Sequence, residues 1–235
     1  MMPRRVAALL TVLLCASGAA RAQDPLQTLP NNYSVVFENS LVEVIRAHYA
    51  AHEKIPIHDH SSLATVFVYL SDSGQVRIDH AEPGEAPVSV VRPPTVKGAF
   101  RVNNGQAERH SIENLGDTDS DFLRVELKQV PLALKETFRG RAPQSLATSG
   151  STMEFNNPEL QVERIICAGP SPCAITPSDS PSLLIPFTPA QVAEGSSKHG
   201  TTLVPGKVLW LPATKSGTIL PGSSSSGHFL RILLP

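Results

Sequence analysis

Pro56-Ile57-His58-Asp59-His60 leads into the apolar run Ala64-Thr65-Val66-Phe67-Val68-Tyr69-Leu70, and this stretch decides how the rest of the chain is interpreted. On an extended segment, residues two apart point to the same face, so His58 and His60 project together while Asp59 points away. Two imidazoles side by side on a strand can begin a metal site. A surface His-x-His pair is also common without a metal, so the interpretation needs a further element.

Short segments of the same apolar kind recur along the chain. They are rich in β-branched and aromatic residues, alternate roughly between apolar and polar positions, and are separated by Gly, Pro, Asn and Asp. Besides the run at 64–70, they are 33–37, 41–46, 75–79, 87–91 and 121–127. This close spacing predicts an all-β, antiparallel sandwich or barrel rather than strands that alternate with helices.

A second histidine-bearing segment lies just before the last of these strands. It reads Glu108-Arg109-His110-Ser111-Ile112-Glu113-Asn114, and a Gly116-Asp117 turn then leads into 121–127. A His followed by an Asn, a tight turn and an apolar strand is typical of a strand connection near the end of a small barrel. His110 is therefore the candidate third imidazole.

Together the two segments resemble the paired motifs of the cupin superfamily of β-barrels. The first motif has His-x-His, then Glu and Gly, and the second has a Gly, a Pro-x-Gly turn and His-x-x-x-Asn. The matching positions are His58, His60 and Gly74 for the first motif, and Gly98, His110 and Asn114 for the second. The resemblance covers roughly 32–128. It implies a jelly-roll barrel whose metal ligands are His58, His60 and His110.

Two departures from the cupin pattern change the expected site. Where the superfamily has its glutamate, this chain has Ser61-Ser62-Leu63-Ala64-Thr65, and the Pro-x-Gly turn is replaced by Asn103-Asn104-Gly105. A three-histidine site remains, which suits one divalent transition metal among Fe, Zn, Cu, Ni and Mn. The alternative is a barrel that keeps these histidines as hydrogen-bonded core residues without a metal.

The chain also contains an internal repeat. Asn39–Arg46 aligns with Asn157–Arg164 at an offset of 118, and Phe122–Leu127 aligns with Phe229–Leu234 at an offset of 107, so the second copy is 11 residues shorter. The ligand positions project onto Thr176, Ser178 and Thr218, none of which offers an imidazole. We expect an N-terminal cupin domain with the metal site at 23–130, a linker at 131–152, and a truncated, degenerate cupin-like domain at 153–235.

The first 22 residues have the three-part layout of a secretory signal. Arg4 and Arg5 precede an apolar run at 6–16, and cleavage is expected after Ala22. The apolar run is shorter than the roughly 20 residues that a transmembrane helix needs. Export predicts a secreted or periplasmic protein, and in such an oxidising compartment we expect Cys167 and Cys173 to form a disulfide. A redox or metal-binding cysteine pair is the alternative.

The charge balance argues against a nucleic-acid partner. The 235 residues include 20 Lys+Arg and 21 Asp+Glu, and removal of the signal leaves 17 basic residues and a formal charge of −4. No later stretch is long and apolar enough to span a membrane. The expected partner is a small-molecule ligand, and the cupin resemblance also suggests a homodimer.

Two functions stay open at this point. The first is a small-molecule metalloenzyme of dioxygenase or isomerase type, in which the positions left by the missing glutamate accept substrate or dioxygen. The second is a non-catalytic module that binds a small molecule or a partner, with a structural metal or none. The sequence identifies no general base, because strand alternation aims at most one of Glu108 and Glu113 inward.

Overall fold

A computed structural model describes residues 24–195, 200–222 and 226–235. The predicted signal sequence at 1–22 therefore lies outside the described residues. Within them the protein is almost entirely β, with one short helix, α1, at Pro25–Thr28. None of the helical structure in these ranges is long and apolar enough to cross a membrane.

The N-terminal half forms two antiparallel sheets that enclose an apolar interior. Its strands are β1 Tyr33–Glu38, β2 Val42–Tyr49, β3 Lys54–His60, β4 Ala64–Tyr69, β5 Val76–His80, β6 Val88–Arg92, β7 Phe100–Asn103, β8 Glu108–Asn114, β9 Ser120–Leu127 and β10 Phe138–Gly140. The larger sheet has the order β1-β2-β9-β4-β7-β10, and the smaller one has the order β3-β8-β5-β6. Ile45 and Phe122 of the larger sheet meet Ile55 and Ile112 of the smaller one, which closes the barrel.

The C-terminal half repeats this architecture with one strand fewer. Its strands are β11 Gly150–Asn157, β12 Leu160–Cys167, β13 Cys173–Ile175, β14 Ser182–Pro186, β15 Ala190–Glu194, β16 Thr201–Leu203, β17 Leu209–Leu211, β18 Gly217–Pro221 and β19 Gly227–Leu233. The larger sheet has the order β11-β12-β19-β14-β17, and the smaller one has the order β13-β18-β15-β16. The sheet orders match those of the first half, apart from the added edge strand β10.

The strand registers show that the two halves are copies of one unit. A β-bulge between Val35 and Phe37 in the first hairpin recurs 118 residues later, between Met153 and Phe155. The pairing of β12 with β19 likewise repeats the pairing of β2 with β9, shifted by 118 residues on one strand and 107 on the other. A bulge is a specific local irregularity, so its recurrence is stronger support for duplication than shared strand composition. The prediction of two jelly-roll barrels is confirmed.

The largest apolar core lies between the halves, where the two larger sheets pack face to face. Its most deeply buried members, each at most 1% exposed, include Val66, Val68, Phe100, Leu123 and Val125 from the first half and Leu160, Val162, Leu183, Leu230 and Ile232 from the second. The opposite faces of the same sheets line the two barrel interiors. The central strands β4 and β14 are therefore buried on both sides, and their sequences are continuous apolar runs rather than alternating ones.

Gly98 lies at the contact between the halves. Its φ is +90°, and a Cβ atom there would lie 2.6 Å from Cε1 of His228. His228 is buried on β19, where its ring packs against Phe187 with 4.4 Å between centroids, and its Nε2 accepts a 2.6 Å hydrogen bond from Arg164. The glycine that matches the second cupin motif is thus required by both backbone conformation and close packing.

The segment expected to be a linker, 131–152, contributes regular structure. Within it, β10 pairs with β7 at the edge of the larger N-terminal sheet, and Leu132 joins the shared core. The first residues of β11 also fall inside this range. The chain therefore passes from one half to the other along a sheet edge.

Cys167 and Cys173 form a disulfide, as predicted, with 5.6 Å between their Cα atoms. The bond connects the end of β12 to the start of β13, and these strands belong to different sheets of the second barrel. Cys167 is fully buried in the interior of that barrel. The disulfide therefore closes the turn formed by the five residues 168–172 and ties the two sheets together.

The shared core predicts that the two halves unfold together. Leu230→Ala removes a side chain that is 0% exposed, so we expect a loss of about 2–5 kcal/mol in the free energy of unfolding and a single urea transition. Leu220→Ala, at a 37% exposed position, is the matched control and should cost less than about 1 kcal/mol. Two separate transitions, of which Leu230→Ala moves only one, would contradict a common core.

Candidate metal centre and ligand cavity

The three predicted histidines converge on one point inside the N-terminal barrel. His58 and His60 lie on β3 and His110 lies on β8, and the antiparallel register places His58 directly opposite His110. The ring centroids are 4.8, 4.9 and 5.0 Å apart, and one nitrogen from each ring lies within 4.8 Å of the others. A β-bulge between Ile55 and His58 turns the end of β3 so that both of its histidines share this point.

The tautomer of His58 follows from its hydrogen bonds. Its Nδ1 lies 2.8 Å from the carbonyl oxygen of Pro56, and because a carbonyl only accepts, Nδ1 must carry the proton. Nε2 then keeps its lone pair, which points toward Nε2 of His60 at 3.1 Å. A backbone carbonyl that fixes the tautomer in this way is the usual support of a metal-binding histidine.

Tyr33 and Tyr49 complete a hydrogen-bonded chain beside the histidines. The hydroxyl of Tyr33 donates to Nε2 of His58 at 3.0 Å and lies 2.9 Å from the hydroxyl of Tyr49. Burial raises the pKa of Tyr33 well above its usual range and raises the pKa of Tyr49 to about 12. Both phenols are therefore neutral hydrogen-bonding groups at physiological pH.

Burial also keeps the three imidazoles uncharged. It is the main cause that lowers the pKa of His58, holds the pKa of His60 well below its usual range, and lowers the pKa of His110 to about 3. The positive charge of Arg124 adds to the effect at each ring. Neutral imidazoles carry the lone pairs that a metal ion requires.

Asn114, which matches the second motif, has a role in the structure of the barrel rather than at the three histidines. Asn114 is fully buried, and its Nδ2 lies within hydrogen-bonding distance of the carbonyls of Tyr49, Ala50 and Thr118, at 2.9–3.2 Å. Its Oδ1 accepts from the backbone N–H of Gly116. Asn114 therefore holds the turn that follows β8 and the end of β2.

A cavity of about 610 Å³ extends from His60 and His110 toward one end of the N-terminal barrel. Its walls are largely apolar, and the side chains that line it include Val76, Ile78, Phe67, Phe122, Tyr69 and Phe100. This volume is within the range of small-molecule binding sites. The histidines are thus reachable by a molecule the size of a substituted aromatic ring.

The polar residues of the cavity are mainly arginines. Arg92, Arg101, Arg124, Arg139 and Arg141 line it, whereas Glu108 is its one carboxylate among the described residues. Strand register places Arg124, Phe67, Arg101 and Arg139 in one row across β9, β4, β7 and β10. Of these arginines, Arg124 is neutralised by Glu126, with 2.8 Å between Nε and Oε1.

The region where cupins have their glutamate supplies no ligand. Ser61 instead donates a 2.7 Å hydrogen bond to Glu126, and the hydroxyl of Thr65 donates to the carbonyl of Leu63. Glu108, two residues before His110 on β8, points to the same side as that histidine, and its Oε2 lies 3.9 Å from Nδ1 of His110. Alternation thus brings Glu108 inward, while Glu113 pairs with Lys54 and Arg77.

In the described part of the second barrel, no histidine occupies the positions that align with His58, His60 and His110. Thr218, which aligns with His110, pairs with Ala174 rather than with the projected Thr176, and Ala174 therefore takes the place of His58. Apolar side chains such as Ile175 and Ile219 fill the interior. Arg231, the counterpart of Arg124, is fully engaged by Ser182, Glu163 and the carbonyl of Thr176.

Among the described residues, three further histidines of the N-terminal half lie away from the point of convergence or beside it. His48 and His52 pair with aspartates of the loop before β9, and Glu53 accepts from Asn32 and from the backbone of Ala50. His80 is closer, with its ring 5.6 Å from that of His110, but it is paired with Glu82. The three-histidine set expected from the motifs is the set that the structure brings together.

Sequence reasoning missed Tyr33, Arg92 and Arg101. Each is a single residue on a strand that carries neither histidine motif, and each reaches the cavity only because its strand neighbours β2, β5 or β4 in the folded sheets. A polar or cationic residue within an otherwise apolar strand, as at Arg101 between Phe100 and Val102, is the one signal that the sequence offered.

The architecture is that of a two-barrel cupin fold. No protein-family model matches the chain, and no curated protein matches it in sequence. Among solved structures, it is similar to AerE from Microcystis aeruginosa, with 9% identity, coverage of 87% of this chain and 97% of that chain, and a TM-score of 0.58. It is also similar to the pirin YhhW from Escherichia coli in complex with nickel(II), with 12% identity, coverage of 86% and 90%, and a TM-score of 0.58.

A third solved structure with this fold is a salicylate 1,2-dioxygenase from Pseudaminobacter salicylatoxidans, with 11% identity, coverage of 83% and 71%, and a TM-score of 0.51. Such low identities establish the fold alone. They confirm the cupin resemblance of the first half and extend it over both halves.

Asn114→Ala should destabilise the protein. The substitution removes the buried amide that meets the carbonyls of Tyr49, Ala50 and Thr118 and the backbone N–H of Gly116, so we expect a loss of about 2–4 kcal/mol in the free energy of unfolding, measured by urea denaturation. Asn156→Ala, at an exposed position of β11, is the matched control and should cost less than about 0.5 kcal/mol. Equal effects of the two substitutions would show that the hydrogen bonds of Asn114 do not hold the turn.

Proposed function

We propose that the protein binds one divalent transition metal through His58, His60 and His110 and acts as a metalloenzyme on a small molecule in the adjoining cavity. The observation that carries this proposal is the convergence of three neutral imidazoles, two of which, those of His60 and His110, line a cavity of about 610 Å³. The orphaned Nδ1 of His110, which is buried without a hydrogen-bond partner among the described residues, also fits a ring with a further interaction to make.

The donor set narrows the choice of metal. Three imidazoles without a thiolate or carboxylate suit Fe(II), Zn(II), Cu(II), Ni(II) or Mn(II). When bound, such an ion would supply Lewis acidity, or redox chemistry in the case of iron or copper, at the positions that the protein leaves open. The absence of a protein ligand from 61–65 leaves room for a bound molecule to take one of these positions.

Tyr33 is the residue most directly affected by metal binding. Its hydroxyl donates to Nε2 of His58, and a metal would need the same lone pair. Once released, the hydroxyl still has Tyr49 as a partner at 2.9 Å and stays beside the site. It can then donate a hydrogen bond to an oxygen atom of a bound molecule.

Glu108 favours a catalytic function over a non-catalytic binding module. It lies at the boundary between the histidines and the cavity, where its carboxylate can accept or hold a proton of a bound molecule. The similarity in fold to a salicylate 1,2-dioxygenase is compatible with a dioxygenase-type reaction. A non-catalytic protein would have no need of an inward carboxylate beside the histidines.

Metal analysis tests the proposal. Protein purified without a histidine tag or chelator, and then loaded with each candidate metal and desalted, should hold about one ion per chain by elemental analysis. His58→Ala, His60→Ala and His110→Ala should each reduce this to about 0.2 or less, since two imidazoles rarely retain an ion through desalting.

His48→Ala is the matched control for metal binding. Its ring lies beside Asp119 and Asp121, so the variant should keep about one ion per chain. Retention of iron or copper would favour redox catalysis. A wild-type protein that cannot be loaded with Fe(II), Zn(II), Cu(II), Ni(II) or Mn(II) would refute the metal site.

We further propose that the protein is exported and acts in a secreted or periplasmic setting. The disulfide between Cys167 and Cys173 supports this, because such bonds persist mainly in oxidising compartments. Expression of the whole chain in a bacterial host should yield a product that begins at Gln23, as measured by intact mass and N-terminal sequencing. A product that keeps residues 1–22 and stays in the cytoplasmic fraction would refute export.

A further inference from the structure

Two arginines in the cavity lack the partners that buried guanidinium groups normally have. The Nε atoms of Arg92 and Arg101 are buried and have no hydrogen-bond partner in the part of the chain that the structure describes. No ion pair to either side chain occurs there either. Both residues are only partly buried, but an N–H group that is withdrawn from water without a partner is costly to the folded state, so the two Nε atoms favour a partner supplied by a bound molecule.

The charged residues around Arg101 do not supply the ion-pair partner that it lacks. Burial is the main cause that lowers the pKa of Arg101, and the charges of Arg92 and Arg139 lower it further, while Tyr69 and Glu108 act in the opposite direction. Glu108 is the one acidic residue at the cavity wall among the described residues. The cavity therefore has an excess of positive charge even before a metal ion is added.

The fold itself does not require a cation at this position. Arg101 aligns with Leu209 of the second half at the offset of 108 that relates Gly98 to Gly206, and Leu209 packs into an apolar barrel interior. The copy without a cavity thus has a leucine where the copy with a cavity has an arginine. This contrast indicates that Arg101 serves a molecule bound in the cavity and that the sheet does not need it.

The apolar walls of the cavity indicate the character of the rest of an anionic ligand. The guanidinium carbon of Arg101 lies 4.1 Å from the centroid of the Phe67 ring, and Phe67 and Phe122 lie side by side with 6.2 Å between centroids. Ile78 and Val76 line the cavity from the opposite sheet. A flat apolar group can pack between these walls while an anionic group meets the guanidinium groups.

We propose that the N-terminal cavity binds an aromatic carboxylate, whose carboxylate group is held by Arg101 and Arg92 and whose ring packs against Phe67 and Phe122. This proposal rests on the proposed function, because it names the class of molecule on which the same site acts. It depends, however, on the guanidinium groups of Arg92 and Arg101 and not on a bound metal. The two proposals can therefore fail separately.

Calorimetric titration tests whether the cavity binds an aromatic carboxylate. Benzoate and 2-naphthoate are titrated into metal-free protein and into Zn(II)-loaded protein, with benzamide as the neutral counterpart of benzoate and inorganic phosphate as an anion without an apolar body. We expect both carboxylates to bind, with 2-naphthoate the tighter, and benzamide and phosphate to bind at least tenfold more weakly.

Substitution assigns the binding to the two arginines. Arg101→Met and Arg92→Met keep an apolar stem of similar length and should each weaken 2-naphthoate binding at least tenfold. The thermal midpoint of Arg101→Met without ligand should be equal to or higher than that of the wild type, since an unpaired buried charge is removed. Arg46→Met removes a half-exposed arginine that is paired with Asp121, and it should bind 2-naphthoate as the wild type does.

Three outcomes would overturn the proposal. They are binding of benzamide or phosphate as tight as that of benzoate, equal binding by Arg101→Met and wild type, and a thermal midpoint of Arg101→Met several degrees lower, which would assign the guanidinium a structural role. Failure of the metal site alone would appear differently. In that case no metal is retained, but metal-free protein still binds 2-naphthoate through Arg101.

Discussion

The packing of the two larger sheets against each other is the constraint on which the rest of the structure depends. Each of these sheets has one face in the shared core and the other face in its own barrel, so the apolar residues of β4 and β9 serve both at once. Close packing leaves little freedom on the shared side. The interior side of the N-terminal sheet is therefore held rigidly, and it is this side that carries Phe67, Arg101 and Arg124.

Because the larger N-terminal sheet is held rigidly, the smaller sheet across the cavity can carry buried polar groups. The smaller N-terminal sheet carries the histidines of β3 and β8 beside the cavity, and His58 is held by the carbonyl of Pro56 and by the hydroxyl of Tyr33, which is itself hydrogen-bonded to Tyr49. Buried polar groups without such partners would each cost about 1–3 kcal/mol. The second half avoids this cost, because its interior is filled by apolar side chains and its one central arginine, Arg231, is fully hydrogen-bonded. One copy thus has an interior filled by apolar side chains, while the other keeps polar groups around a cavity.

Much of this arrangement could be predicted from the sequence, and the exceptions have physical reasons. Alternation and turn residues located the strands, because these signals are local, and the resemblance to the two cupin motifs predicted that His58, His60 and His110 converge. The structural nature of 131–152 was not predictable, since the strand β10 is defined only by its pairing with β7. The same holds for Tyr33 and Arg101, whose neighbours in the cavity come from strands that are distant in the chain. Strands β4 and β14 lacked clean alternation because both of their faces are buried.

The contrast between the two copies separates what the fold needs from what the site needs. Residues that keep their role in both halves, such as the bulged first hairpin and the glycines Gly98 and Gly206 at positive φ, belong to the architecture. Residues present only in the first half, namely the three histidines and Arg101, occupy positions that alanine, threonine or leucine fill in the second half without loss of the barrel. Buried histidines and unpaired guanidinium N–H groups are unfavourable for stability, so their concentration around a single cavity is the contrast on which the proposed metal and carboxylate sites rest.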